Sequence, residues 1–274
     1  MTGADPALTG VRLVATDLDG TVVRRDGTIS ARTVAALAAV EDAGLHLVLV
    51  TGRPPRWMRP ISEATGHHGI AVCGNGAFVY DLHAERVVER FALEPAEGAE
   101  AVRRIRAVLP GAAFAVETGW GFGHEPAYEP NWPTPDLTRV VPVEDLVAEP
   151  VGKLLVRLKG SDGDAMLEAV APVLSGLAEA THSNAGDCLL EVSARGVSKA
   201  STLARVCEER GVAAGEVLAF GDQPNDLPML AWAGLAYAVA NAHPLVLASG
   251  ARLAGSVDAD GVAAVLERLP ALRG

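Results

Sequence analysis

The chain of 274 residues has just three cysteines, Cys73, Cys188 and Cys207, far apart and with no C-x-x-C pair. That spacing excludes a zinc cluster, a dithiol redox centre and a disulfide-stapled scaffold, and it reads as reduced, packed thiols in a cytoplasmic protein. No apolar run is long enough to span a bilayer. The opening Met1 to Pro6 lacks the basic start and apolar centre of a secretory signal and reads as a loose terminus. Basic residues are also scarce: 23 Lys and Arg stand against 34 Asp and Glu, a formal net charge of −11. Duplex nucleic acid and anionic membranes need a dense basic face, so neither is expected as a main partner. An anionic ligand must then be captured locally, by a metal and a few cations. Repeats and low-complexity segments are missing too.

What is present points to a globular protein of more than one domain. The length favours two domains, and a composition 49% hydrophobic and 21% charged supports a sizeable core. The most informative run is Val11 to Thr21, in which a short apolar stretch stops at Asp17-Leu-Asp19-Gly-Thr21. A buried strand ending in a carboxylate places the charge at the carboxyl edge of a sheet, where open α/β folds hold ligands. Side chains at i and i+2 of a strand share a heading, so the two carboxylates converge unless the turn redirects one. Converging carboxylates repel, and a hard cation relieves the repulsion. The motif predicts Mg2+ on these grounds alone.

Around it, strand and helix alternate. Ser30 caps a helix over 31–43 that ends at Gly44, and Leu45 to Val50 reads as a strand buried on both faces, closing in Thr51-Gly52-Arg53. Ile70 to Tyr80 reads as a strand, a glycine-flanked Asn75 and a return strand. After Asp81 the texture changes. Strands are expected over 87–93, 112–116, 153–158 (half exposed) and 188–192, with helices over 97–109 and 164–174, the pattern of an antiparallel sheet with helices on one side. Residues 82–189 are therefore expected to form an inserted domain. The parallel pattern resumes with a helix over 199–209 capped by Ser198, a strand over 217–220, a polar turn Gly221-Asp222-Gln-Pro-Asn225-Asp226, a helix over 227–233, a strand over 236–239 and a last helix over 262–269.

Taken in order, Asp17-Leu-Asp19-Gly-Thr21, Thr51-Gly52-Arg53, Lys199 and Gly221-Asp222-x-x-Asn225-Asp226-x-x-Met229-Leu230 resemble the haloacid dehalogenase superfamily. The large segment between the second and third motifs, the Asn75-Gly76-Ala77 turn and the Asn241-Ala242 pair resemble its Cof-type sugar-phosphatase branch. The resemblance implies a doubly wound, Rossmann-like α/β core over 1–81 and 190–274. It also implies an inserted α+β cap over 82–189 that sets substrate choice, with hinges near Asp81 and Gly196.

It further implies Mg2+-dependent hydrolysis of small phosphorylated metabolites, sugar phosphates first, through an aspartyl-phosphate. Asp17 would be the nucleophile, already ionised at neutral pH and needing no base. Asp19 would be the general acid and base; dehalogenases and phosphonatases of the superfamily lack it. Mg2+ would be held by Asp17, the Asp19 carbonyl and Asp222, with Asn225 and Asp226 nearby as an outer ligand or support, either one the metal contact. Thr51, Gly52, Lys199 and Asn225 would bind phosphate. A phosphomutase and a non-catalytic phospho-ligand regulator are the alternatives; mutases of the superfamily usually carry a small helical cap after the first motif, where this chain has one ordinary helix, and receiver-type regulators are much shorter and lack the acid at Asp19. A monomer or homodimer is expected. Arg53 either meets phosphate or forms a surface ion pair. The aromatics Trp120, Phe122, Tyr128 and Trp132 either line a leaving-group pocket or close a small core. His67 and His68 read as solvated, Cys73 as core.

Overall fold

In the computed structural model, residues 6–119, 121–132, 134, 138–182 and 188–269 are described. Trp120 therefore lies outside them. The chain folds as two compact units, one of residues 1–53, 57–88 and 199–274, the other of 54–56 and 89–198.

The first unit opens with β1 (Leu13–Asp17), α1 (Ala31–Asp42), β2 (His46–Val50), α2 (Arg59–Ala64), β3 (Ile70–Cys73), β4 (Phe78–Asp81) and β5 (Arg86–Arg90). Then come α3 (Pro95–Val108), β6 (Ala113–Glu117), β7 (Phe122–His124), β8 (Arg139–Val140), α4 (Val143–Leu146), β9 (Lys153–Arg157), α5 (Gly163–Leu174), β10 (Ala178–Thr181) and β11 (Leu189–Ala194). The chain returns through α6 (Lys199–Glu209), β12 (Val217–Gly221), α7 (Leu227–Trp232), β13 (Leu235–Val239), α8 (Pro244–Leu247), β14 (Arg252–Ala254) and α9 (Gly261–Leu266).

The first sheet has the order β14-β13-β12-β1-β2-β3-β4-β5. From β14 to β3 every pairing is parallel, and β4 returns antiparallel to β3. Chain order runs outward in both directions from the β1–β12 pair, so the topological switch point falls between those two strands. Side chains at their carboxyl ends then face a crevice that no crossover covers. Leu13, Val14 and Ala15 of β1 and Leu47 to Val50 of β2 are buried, as continuous apolar strands between helical layers must be. Ser30 caps α1 by accepting from the Thr33 N–H.

The second unit is a sheet of order β10-β11-β9-β6-β7-β8, antiparallel except where β8 runs parallel to β7. Helices α3, α4 and α5 close one face over Phe114, Val116, Leu154, Val156, Leu190 and Val192. Its boundaries differ from 82–189 because β5 extends the first sheet past Asp81, and β11 lies inside the second sheet between β10 and β9.

Strand β9 corrects the half-exposed reading: Lys153 to Val156 are all buried. Its outward-looking charge is internal, because Lys153 Nζ donates to Glu191 Oε1 at 2.6 Å. Leu155 on the same face joins Ala113, Ala115, Phe122 and Tyr128 in a second small core, with Trp132 packed against it. Phe122, Tyr128 and Trp132 meet edge-on at 6.3–6.5 Å. Arg56 stacks on the Phe122 ring at 5.1 Å and pairs with the buried Glu117 at 2.7 Å. The aromatics close a core, and alternation in β9 recorded a paired charge rather than solvent. Replacing Phe122 by Ala should therefore cost about 3–5 kcal/mol of stability in urea unfolding; an unchanged midpoint would mean that the ring stands in an open pocket.

Candidate functional site

At the switch point the sheet delivers Asp17 on the last residue of β1 and Asp222 on the residue after β12. Asp226 follows one short turn later. Each of the three offers a carboxylate oxygen, all within 4.8 Å of one another, and all three residues are buried. Like charges this close and this dry need compensation. Lys199, the first residue of α6, supplies it: Nζ donates to Asp17 Oδ1 and to Asp226 Oδ1, each at 2.6 Å.

The trio is not uniform. Asp226 is fully enclosed, and its other oxygen accepts the backbone N–H groups of Asp222 and Gln223 at 3.0 Å each. Both its oxygens accept from the protein, so it shapes the turn that presents Asp222. Gly221 makes this possible, because a Cβ there would lie 2.6 Å from the Asp226 Cβ. Asp222 itself accepts from Thr21 Oγ1 at 3.3 Å and Gln223 Nε2 at 2.8 Å. Gly20, at φ +84°, passes so close that a Cβ would sit 2.5 Å from Asp222 Oδ2. The glycine of D-x-D-G-T is thus both a left-handed turn residue and the space into which the second acidic motif fits. Asn241 holds the same turn, donating to the Gly20 carbonyl at 2.8 Å.

Burial sets the electrostatics. It pushes the Asp222 carboxyl up to about 6, with Asp226 adding to the rise and the Gln223 hydrogen bond opposing it. Burial likewise raises Asp17, against the pull of the Lys199 ammonium. For Lys199, burial disfavours the charge, but Asp17 and Asp226 more than reverse this and hold it above the usual lysine range. An all-oxygen cluster with raised carboxyl pKa values suits a hard divalent cation, which supplies the missing positive charge. Asp17 and Asp222, whose oxygens are less taken up by the protein than those of Asp226, could hold it.

Asp19 does not join them. The turn after β1 folds back on the Leu18 carbonyl, which accepts from the Thr21, Val22 and Val23 N–H groups. The Asp19 side chain is 56% exposed and lies in a two-pronged ion pair with Arg53, Nε to Oδ2 at 2.8 Å. Arg53 thus pairs with the second aspartate of the motif. Thr51, buried at the end of β2, accepts the Arg53 N–H at 3.0 Å, and its carbonyl takes the Asn75 N–H at 3.0 Å. Gly52 lies between them, half-buried. Asn225 points elsewhere than the trio: its amide donates to Asn75 Oδ1 at 3.2 Å. Asn75 holds φ +57°, which asparagine tolerates better than most residues. Thr21, which closes the first motif, and Gln223, which follows Asp222, contribute to the site although the sequence reading gave neither a role. Their signal is adjacency, since each stands within two residues of a motif carboxylate.

A family model of haloacid dehalogenase-like hydrolases matches residues 14–266, nearly the whole chain. The chain belongs to this family. Within it the pattern is Cof-type, and this haloacid dehalogenase-like hydrolase shares 25% identity over 269 residues with the pyridoxal phosphate phosphatase YbhA of Escherichia coli K12, covering 92% of this chain and 96% of the relative. Among solved structures, the phosphatase BT1666 of Bacteroides thetaiotaomicron superposes with a TM-score of 0.80 at 25% identity, over 99% of this chain and all of that one. The subclass IIB sugar phosphatase BT4131 superposes with a TM-score of 0.78 at 20% identity, over 95% of this chain and all of that one, a likeness of fold. Among the described residues no helix is long and apolar enough to cross a membrane.

The raised Asp222 pKa gives a signed expectation. Protonation favours the folded state here, so without a cation this group lowers stability as pH rises from the ordinary aspartate range through about 6. A cation needs the ionised carboxylate, so its stabilising effect appears only above that pH. Thermal melts with and without MgCl2 should show a gap of about 2.7 kcal/mol at pH 7.5 with the ion at roughly 100 times its dissociation constant. The gap should close as pH falls below 6. A gap independent of pH would remove Asp222 as ligand.

Proposed function

We propose that this hydrolase is a Mg2+-dependent phosphatase of small phosphorylated metabolites, sugar phosphates first, acting through an aspartyl-phosphate on Asp17. The observation that carries this reading is a buried carboxylate at the β1–β12 switch point, 2.6 Å from a lysine ammonium and grouped with Asp222 and Asp226. Phosphate monoesters resist attack because anions repel anions, and uncatalysed hydrolysis is slow enough that enzymes accelerate it by up to roughly 10²¹. Mg2+, bound by Asp17, the Asp19 carbonyl and Asp222, would supply positive charge to the phosphoryl oxygens.

Lys199 holds Asp17 oriented and keeps the site from being wholly anionic. An Asp17 oxygen attacks phosphorus, the P–O bond to the leaving group breaks, and Asp19 gives that oxygen its proton. Water then attacks the same phosphorus, Asp19 takes a proton from it, and the bond from Asp17 breaks, which restores the Asp17 carboxylate and leaves Asp19 protonated for the next cycle. The Asp19 side chain is exposed, as suits a group that must exchange a proton with the leaving group and with water. The Thr51 hydroxyl and the Gly52 N–H are read as grips on the phosphoryl oxygens, as is Lys199. Asn225 acts through Asn75 as support for the loops that carry Thr51. Asp226 is the orienting residue behind Asp222.

We read the inserted unit as the cap that selects substrate. The curated relative that acts on pyridoxal phosphate favours a second substrate, an aromatic phosphate ester of that kind. A cytoplasmic setting accords with cysteines that form no disulfide.

With p-nitrophenyl phosphate, Asp17→Asn should lose turnover by on the order of 10³-fold or more with the circular dichroism spectrum kept. Appreciable residual turnover would refute the nucleophile. Asp19→Ala should cost about 10²–10⁴-fold in kcat, and an unaltered rate would take it out of proton transfer. EDTA should silence the enzyme and MgCl2 restore it; activity indifferent to both would overturn the metal reading. A panel of sugar phosphates, pyridoxal phosphate and nucleotides then ranks substrates by kcat/KM.

A further inference from the structure

On the edge of the first sheet opposite the carboxylates, where β2 and β3 begin, lies a cavity of about 340 Å3. Four of the seven histidines of the chain line it: His46, His67, His68 and His83. The reading of His67 and His68 as an ordinary solvated turn leaves this convergence unexplained. One of the rings is hydrogen-bonded to a carboxylate, and a second lies near one. His68 Nδ1 lies 2.9 Å from Glu41 Oε2, and His67 Nδ1 lies 3.5 Å from Glu85 Oε1.

A carboxylate only accepts, so Nδ1–H of His68 donates, and in the neutral tautomer this leaves the lone pair on Nε2. A carboxylate behind an imidazole is the outer arrangement that orients metal-ligating histidines. His67 and Glu85 also share a backbone oddity, φ +60° and +49°, a region that non-glycine residues keep only where their surroundings require it. Burial, with Arg210 and Arg12, lowers the His46 pKa, so that ring stays neutral as a ligand must. Against Glu41 and Asp81, with Glu85 near His67, the cavity wall offers one permanent cation, Arg210, which favours a bound cation over an anion.

We propose that this cavity binds a divalent transition metal of the zinc class through the imidazoles of His67 and His68, completed by His46 or His83. Imidazole with carboxylate backing suits such borderline ions better than Mg2+. Among the described residues the cluster already converged to within 4.8 Å is the aspartate trio, so the imidazoles close on the ion by side-chain rotation. An ion there ties the end of α1 to the entries of β2 and β3. The site is independent of the phosphatase chemistry at the other edge.

The test is calorimetric titration of ZnCl2 into the full-length protein kept in excess MgCl2, which occupies the carboxylates. One Zn2+ per chain is expected. The pair His67→Asn with His68→Gln, the asparagine keeping the left-handed backbone, should weaken it by at least about tenfold, while Asp222→Asn leaves it unchanged. Uptake that follows Asp222 and ignores the histidines, or no uptake at all, overturns the proposal. Should the double variant fail to fold, ring-nitrogen NMR of the wild-type protein decides. A Zn2+-induced shift of the His68 Nε2 resonance supports the site, and unmoved histidine rings reject it.

Discussion

Everything at the carboxyl edge of the sheet depends on one ammonium group shared between two buried carboxylates. Lys199 reaches Asp17 and Asp226 at the same distance, 2.6 Å, and no residue of the three is more than marginally exposed. Removing water from such charges is expensive, and the cost is offset only when every lone pair and proton finds a partner. The structure comes nearest to that condition at Asp226, both of whose oxygens accept from the protein, and leaves Asp17 and Asp222 more open. The open acceptors are where a cation could sit.

Topology explains why these groups meet. Lys199 lies 182 positions from Asp17 and 27 from Asp226, yet α6 begins beside the ends of β1 and β12. A doubly wound sheet brings distant segments to one crevice because each strand end and each following turn faces the same way. Small residues then settle the fit. Gly20 and Gly221 stand where a single methyl group would collide with Asp222 or Asp226. Close approach of the backbones is thereby part of the charge arrangement.

Much of this was legible in the sequence. The strand that ends at Asp17, the Ser30 cap, the turn at Asn75 and the parallel pattern on both sides of the insertion all follow from local periodicity and turn chemistry. What was less legible depends on pairing between distant residues. Lys153 in β9 looks like a solvent-facing residue until Glu191 is seen beside it, and the aromatic residues around Tyr128 look like a pocket lining until Leu155 is placed under them. Strand spacing predicted convergence of Asp17 and Asp19 unless the turn redirected one of them. The turn at Leu18 separates them and gives Asp19 to Arg53, because three N–H groups fold onto a single carbonyl. The place beside Asp17 is taken by Asp226, whose role needs the coordinates of its two backbone donors.

The central claim is that Asp17 becomes covalently phosphorylated. Acid-quenching the enzyme in mid-turnover, reducing it with borohydride and sequencing the peptides by mass spectrometry tests this most directly, since reduction converts an aspartyl-phosphate to homoserine. The account predicts homoserine at position 17 in quenched samples and none without substrate. Reduction at another carboxylate, or none during active turnover, would contradict it.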